Sequence, residues 1–226
     1  MFKVLEPFWD ALTYRIFDRS VDARAHPEEI AKMLEIPLEK LVFANQTHSK
    51  HVACLRAGEE LPSLPLEDTD AFVTNRSDIF LMIRTADCQA ILLYDPVTHV
   101  IGAVHSGWRG SLQNIVGATI DVMQDDFGCD PEHIVACVSP SLGPCCQVFS
   151  DPYVELPRAF HQYIQPDQHV DFWRMTLDQL LASGVPREQI EFCDTCTMDD
   201  TEHYFSYRKE GADTGRFASV IGLKEV

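Results

Sequence analysis

A chain of 226 residues, 46% hydrophobic and 23% charged, has the makeup of an ordinary globular protein that can bury a substantial core without disulfides. Its formal net charge of -17, with only 18 lysines and arginines, excludes a broad basic face and argues against DNA or RNA, while a local arginine pocket for small anions stays open. No apolar run approaches the roughly 20 residues that span a bilayer, and the opening MFKVLEPFWDAL carries an acid and a proline where a secretory segment would be apolar. The expectation is therefore a cytoplasmic protein without a membrane partner, folded as one domain over 1–226.

Eight cysteines in a chain of this size read as reduced thiols rather than a disulfide framework. Vicinal Cys145-Cys146 and the single Cys193-x-x-Cys196 are expected to be inert.

Residues 11–17, ALTYRIF, predict a short strand, and 26–36, HPEEIAKMLEI, a helix whose early acids suit its positive end. LVFANQTHSKHVACLR, 41–56, predicts strand, polar break, strand. His48 lies in that break with Asn45, Gln46 and Thr47, either hydrogen-bonded locally or free to be a ligand. An acidic, proline-rich loop follows over 59–70, and DAFVTN and IFLMIRT, within 70–85, supply two further strands.

The stretch from Thr85 to Gly110 predicts a buried hairpin. Cys88 to Tyr94 and His99 to His105 are mostly apolar, and Asp95-Pro96 supplies a turn. A turn centred between Pro96 and Val97 places Tyr94 opposite His99, Ala90 opposite Ala103, and Cys88 opposite His105. Directly opposed residues have Cβ atoms roughly 5 Å apart, close enough for a thiolate and an imidazole to share Zn²⁺. Beyond His105 the loop Ser106-Gly107-Trp108-Arg109-Gly110 leads into a helix over 111–128, which Gly128 can end. Its two glycines and Arg109 suit either an anion at the helix start or an ordinary turn.

HIVACVSPSLGPCCQVF, 133–149, predicts a buried strand running into a loop, PYVELPRAFHQYI and MTLDQLLASGV predict helices, and EQIEFCDTCT a late strand. The segment 204–221 sets Arg208, Lys209 and Arg216 among aromatic residues and two glycines. Arginine forks bind carboxylate or phosphate at two points, so each serves equally as a salt bridge or an anion contact. Strands interspersed with helices, with one clear hairpin, indicate an α+β fold with mixed, largely antiparallel sheets.

Six motifs together, QTHSKHV (46–52), DAFVTN (70–75), TADCQAILLYD (85–95), AVHSGWRG (103–110), SPSLGPCC (139–146) and FSYRKEGADTGR (205–216), make the chain resemble the YfiH-type laccase-domain family. That family is described both as polyphenol oxidoreductases and as purine nucleoside phosphorylases. The resemblance implies a layered α/β/β/α sandwich and a single metal held by His48, Cys88 and His105. Three protein ligands with a fourth position open is the arrangement of catalytic zinc. It further implies phosphorolysis of purine nucleosides to ribose 1-phosphate, with adenosine deamination as a second activity. In this reading Cys88, Asp87 and Arg109 are catalytic, Asp87 being the nearest carboxylate for a proton, while Gln46, Arg208 and Arg216 hold nucleoside and phosphate.

Departures from the family pattern fall at TYRIFDRS near the start, at Gln147-Val148 and at Thr176, and bear on the shape of the substrate pocket. Two other enzyme readings and one binding reading stand beside this one. Copper could occupy the same ligands and oxidise phenols, although nine histidines without one His-x-His pair speak against a multicopper centre. Cys88 activated by His105 could instead be the nucleophile of a metal-free hydrolase. A small-molecule or partner-binding module with a structural metal is the non-enzymatic alternative.

Overall fold

The computed structural model describes residues 2–224, so the outermost ends of the expected 1–226 domain lie outside the described residues. In chain order its strands are β1 (Leu12–Ile16), β2 (Leu41–Val42), β3 (Val52–Leu55), β4 (Ala71–Thr74), β5 (Phe80–Thr85), β6 (Gln89–Asp95), β7 (Val100–Ser106), β8 (Val135–Val138), β9 (Ile190–Phe192) and β10 (Phe217–Leu223). The helices are α1 (Pro27–Met33), α2 (Trp108–Leu112), α3 (Ile115–Phe127), α4 (Pro152–Glu155), α5 (Phe172–Ala182) and α6 (Tyr207–Glu210). One sheet has the order β1-β10-β5-β2 and the other β3-β4-β7-β6-β8-β9. Five of the eight strand pairings are antiparallel, so the sheets are mixed and largely antiparallel as expected.

Burial on both faces explains why β6 and β7 are apolar almost throughout. Ala90, Leu92, Ile101 and Ala103 pack between the sheets with Leu81, Ile83 and Ile221. Their neighbours Ile91, Leu93 and Val104 face outward onto Ile115, Ile120 and Met123 of α3. Behind the smaller sheet, Met82 and Val220 meet Ile30 and Ala31 of α1. The layers run α/β/β/α, the architecture the resemblance implied.

The hairpin register differs from the expected one by two residues. Ala90 pairs with His105, Tyr94 with Ile101 and Asp95 with Val100, which leaves Pro96 to His99 as a four-residue loop. Asp95 accepts hydrogen bonds from the amides of Val97 and Thr98, and His99 takes a left-handed φ of 54°. Proline after Asp95 suits this wider turn better than a two-residue hairpin, which needs positive φ at its centre. Cys88 is thus beyond the end of the ladder, not opposite His105, but a shift of two keeps both on the same face.

Other boundaries moved for local reasons. The expected helix over 111–128 is two helices, broken where Asn114 adopts a left-handed conformation and caps α3 through a hydrogen bond from the Gly117 amide. Gly128 does end α3, in the left-handed region. The helix expected from 152 splits at Pro157 into α4 and a 3-10 segment, Arg158–Tyr163. The late strand is only the three residues of β9, and β10, which lies centrally between β1 and β5, had been read only as an arginine-bearing segment. No helix among the described residues is long and apolar enough to cross a membrane.

Candidate metal centre and its cavity

The chain passes from the smaller sheet to the larger between Thr85 and Gln89, and Ala86-Asp87-Cys88 forms that crossing. Asp87 takes a φ of 91°, turning the chain so that Cys88 faces the end of β7. There His105, only 3% exposed, and His48 complete a group whose donor atoms all lie within 4.8 Å of one another. Cys88 Sγ is 3.7 Å from His48 Nε2, and the two imidazole rings meet edge to face at 4.8 Å between centroids. The structure therefore brings together all three residues singled out as metal ligands, including His48, which the local pattern had left open.

Asp70 organises this group. Fully buried, it lies 2.7 Å from His105 Nδ1, which leaves Nε2 turned to the other donors. Its carboxylate also accepts the amides of Thr47, His48 and Ser49 and the Ser49 hydroxyl, holding His48 at a left-handed φ of 64°. A carboxylate behind a ligating histidine fixes the tautomer and orients the ring. The motif DAFVTN does not by itself mark Asp70 as part of the site. An acid immediately before the wholly buried strand AFVT was the signal that could have found it.

Charge follows from this packing. Burial opposes ionisation of Cys88, but the neighbouring His105 and His48 outweigh it and lower the thiol to about 6. Burial likewise disfavours a charged His105, yet Cys88 and Asp70 raise it to about 9. Asp70 is held well below the usual carboxylate range, its burial overcome by His105 and Ser49. Gly107 supplies the space: a Cβ there would stand 2.5 Å from His48 Cδ2 and 2.9 Å from Cys88 Sγ. Two imidazoles and a thiolate, all lining one cavity, form a donor set that fits a divalent transition metal.

The donors sit in a cavity of about 810 Å³ whose lining includes Arg24, Arg84, Arg109, Arg208 and Arg216. Among the described residues none of these five guanidinium groups has a carboxylate oxygen within 4.0 Å, although the backbone amides of Arg24, Arg208 and Arg216 do bond to carboxylates, so the side-chain salt-bridge alternative fails for Arg109, Arg208 and Arg216. Arg109 stacks over Trp108 at 4.2 Å, and Arg208 donates to the carbonyls of Cys146 and Val148. Burial, then nearby Arg216 and Arg24, lowers the pKa of Arg84, and burial, then Arg24, lowers that of Arg216. Arg24 and Arg84 were not anticipated; an arginine within the strand IFLMIRT was the available signal for the second. Thr85, buried at the cavity edge, has a hydroxyl without a hydrogen-bond partner among the described residues.

Gln46 and Asp87 also line the cavity, each already engaged. The Gln46 amide clamps the Arg84 backbone from both sides, donating to its carbonyl and accepting from its N–H. Asp87 accepts from the hydroxyls of Thr197 and Ser206, both at 2.7 Å, and from the Arg208 amide at 2.6 Å. Of the positions that depart from the family pattern, Thr176 is buried and donates to Gln89.

Residues 11–224 match the family described as Multi-copper polyphenol oxidoreductase laccase. The chain is 34% identical over 203 residues to a purine nucleoside phosphorylase of Bacteroides thetaiotaomicron, covering 84% of this chain and 75% of that protein. It is 29% identical over 223 residues to purine nucleoside phosphorylase YlmD of Bacillus subtilis, covering 93% and 80% respectively. Among solved structures, hypothetical protein YfiH of Bacillus licheniformis superposes with a TM-score of 0.84 at 24% identity, over 94% of this chain and 93% of that one.

Proposed function

Because the chain belongs to the multi-copper polyphenol oxidoreductase laccase family, the YfiH-type group, we propose that it is a purine nucleoside phosphorylase that also deaminates adenosine and works in the cytoplasm. The observation that carries this reading is one cavity holding both the His48–Cys88–His105 donors and five arginines whose guanidinium groups have no carboxylate partner among the described residues. An acidic protein that keeps cations unpaired in a cavity has built a place for an anion, and inorganic phosphate is the anion phosphorolysis requires. The names of the relatives and the eight free thiols support the substrate class and the compartment.

In phosphorolysis a phosphate oxygen bonds to C1′ of the nucleoside as the C1′–N9 bond breaks, and the purine leaves with that electron pair and takes up a proton. Arg24, Arg84 and Arg216 hold the phosphate and offset its charge as it approaches, with Arg109 of α2 and Arg208 of α6 lining the same cavity. Gln46 keeps Arg84 in place through its backbone. Asp87, with three donors on its oxygens, positions Arg208 and the turn that carries Cys88. Zinc is the metal this donor set suits, held by His48, the Cys88 thiolate and His105, and it would supply Lewis-acid polarisation of an oxygen on substrate or water. For deamination, water adds at C6 of adenosine and ammonia leaves.

Copper in a phenol oxidase and a metal-free cysteine nucleophile are weaker readings. Among the described residues the metal-ligating clusters contain two histidines in all, fewer than multicopper chemistry draws on. Metal analysis of protein purified without chelators, joined to a product assay on adenosine with and without phosphate, tests the proposal. One zinc per His48–Cys88–His105 site, adenine and ribose 1-phosphate only with phosphate, and loss of both activities in Cys88→Ala are expected. Phosphate-independent turnover restricted to phenols, or full nucleoside turnover by that variant, would overturn it.

A further inference from the structure

Between Leu142 and Gln147, which line the cavity, the chain contributes to a second group of donors. Cys145, Cys146 and Cys196 bring three sulfurs together with the Asp199 carboxylate, and the four donor atoms lie within 4.8 Å of one another. Cys145 and Cys146 each donate to a different oxygen of Asp199, at 3.2 and 3.4 Å. Cys196, 8% exposed, accepts the Gly143 amide at 3.3 Å. A Cβ on Gly143 would lie 3.1 Å from both Cys145 Sγ and Cys196 Cβ, so glycine there lets the two segments close.

The backbone builds this convergence. Ser141 and Cys196 pair as an isolated bridge, and the turn Cys196–Asp200 is closed by Asp199 and Asp200 amides on the Cys196 carbonyl. Tight turns on both sides, Gly143 to Gln147 and Cys196 to Asp200, point their side chains into the same small space.

We propose that Cys145, Cys146, Cys196 and Asp199 form a second metal site, distinct from the cavity, that takes a thiophilic divalent cation of the zinc type. Tetrahedral zinc with thiolate bonds of about 2.3 Å separates its sulfurs by ~3.8 Å, so the donors need to move by less than about 1 Å to close on it. Three sulfurs exclude magnesium and calcium, and a carboxylate as fourth donor favours zinc over cuprous copper. Binding releases the thiol protons to solvent and transfers no electron. Its effect is structural: it fastens the loop around Cys146, whose carbonyl accepts from Arg208, to the turn bearing Thr197, which donates to Asp87.

Cobalt reports thiolate ligation through its sulfur-to-metal charge-transfer absorption, and Cys88→Ala removes the only sulfur of the cavity site. Reduced, chelator-stripped Cys88→Ala protein should bind one Co²⁺ with that absorption, and one equivalent of Zn²⁺ should abolish it. The band should vanish when Cys145→Ser and Cys146→Ser are added. Asp199→Asn, a milder change that keeps every thiol, should weaken binding about 10-fold. The proposal is overturned if reduced Cys88→Ala shows no charge-transfer band, or if the band survives the two serine substitutions. A thiol count on the protein as purified that is two short and is restored by reduction, with no metal bound, would show a disulfide instead and overturn it equally.

Discussion

Asp70 Oδ1 stands 2.7 Å from His105 Nδ1, and the same carboxylate gathers the backbone amides of Thr47, His48 and Ser49. One buried acid thus orients one ligand by its ring and another by its main chain. Asp70→Asn keeps the size but loses the charge that both depend on. Zinc affinity at the His48–Cys88–His105 site should fall by about 10–100-fold, read by competition with a chromophoric chelator. Unchanged affinity would remove Asp70 from the site's design.

Gly107→Ala is allowed by its backbone, which has φ -82°, so its effect should come from contact alone. The new methyl collides with His48 and Cys88, and the two must separate. At least about tenfold weaker metal binding is expected, since a displacement near 1 Å carries costs of this order or more. Circular dichroism should show the fold intact, and wild-type affinity in this variant would contradict the packing described.

In metal-free protein Cys88 and His105 should form a thiolate–imidazolium pair. Cys88 is lowered from its ordinary range, so its contribution to stability is present above that range and fades as pH falls through about 6. His105 is raised, so its contribution is complete below about 6.5 and fades as pH rises through about 9. Iodoacetamide should therefore alkylate Cys88 with a rate rising through about pH 6, whereas Cys129, pushed up to about 12, stays unreactive. Zinc should protect Cys88. A single reactivity rise in the ordinary thiol range near 8.5 would refute the pairing.

Arg84→Gln removes one cation from a crowded set while leaving the backbone hydrogen bonds with Gln46 available. The KM for phosphate should rise about 10-fold or more, the scale of one charge-assisted hydrogen bond, with the KM for adenosine changed less than about twofold. Thermal stability should hold or rise, because the repulsion from Arg24 and Arg216 is relieved. Equal increases in both KM values would mean that Arg84 does not select phosphate.

Much of the fold could be read from the chain. Apolar runs bounded by proline, glycine and polar clusters placed β1, β4 to β8, α1 and α5 near their observed positions, because strand and helix periodicities are local. The hairpin's register could not, since Asp95 closes the loop with its own side chain and shifts the ladder by two. Cys88 and His105 drew together on motif and pattern, and His48 only through resemblance.

Composition and local pattern by themselves determined an acidic α+β chain with a buried central hairpin and a thiol and an imidazole on one face of it. Which distant residues meet was decided by the tertiary structure alone. Asp70 joins His48 to His105 across two elements, Arg24, Arg84 and Arg216 come from three separate segments to one cavity, and two cysteine motifs read as inert converge with Asp199. The physical reason is that periodicity reports which side of an element is buried, whereas these meetings depend on how the two sheets stack and where the chain crosses between them.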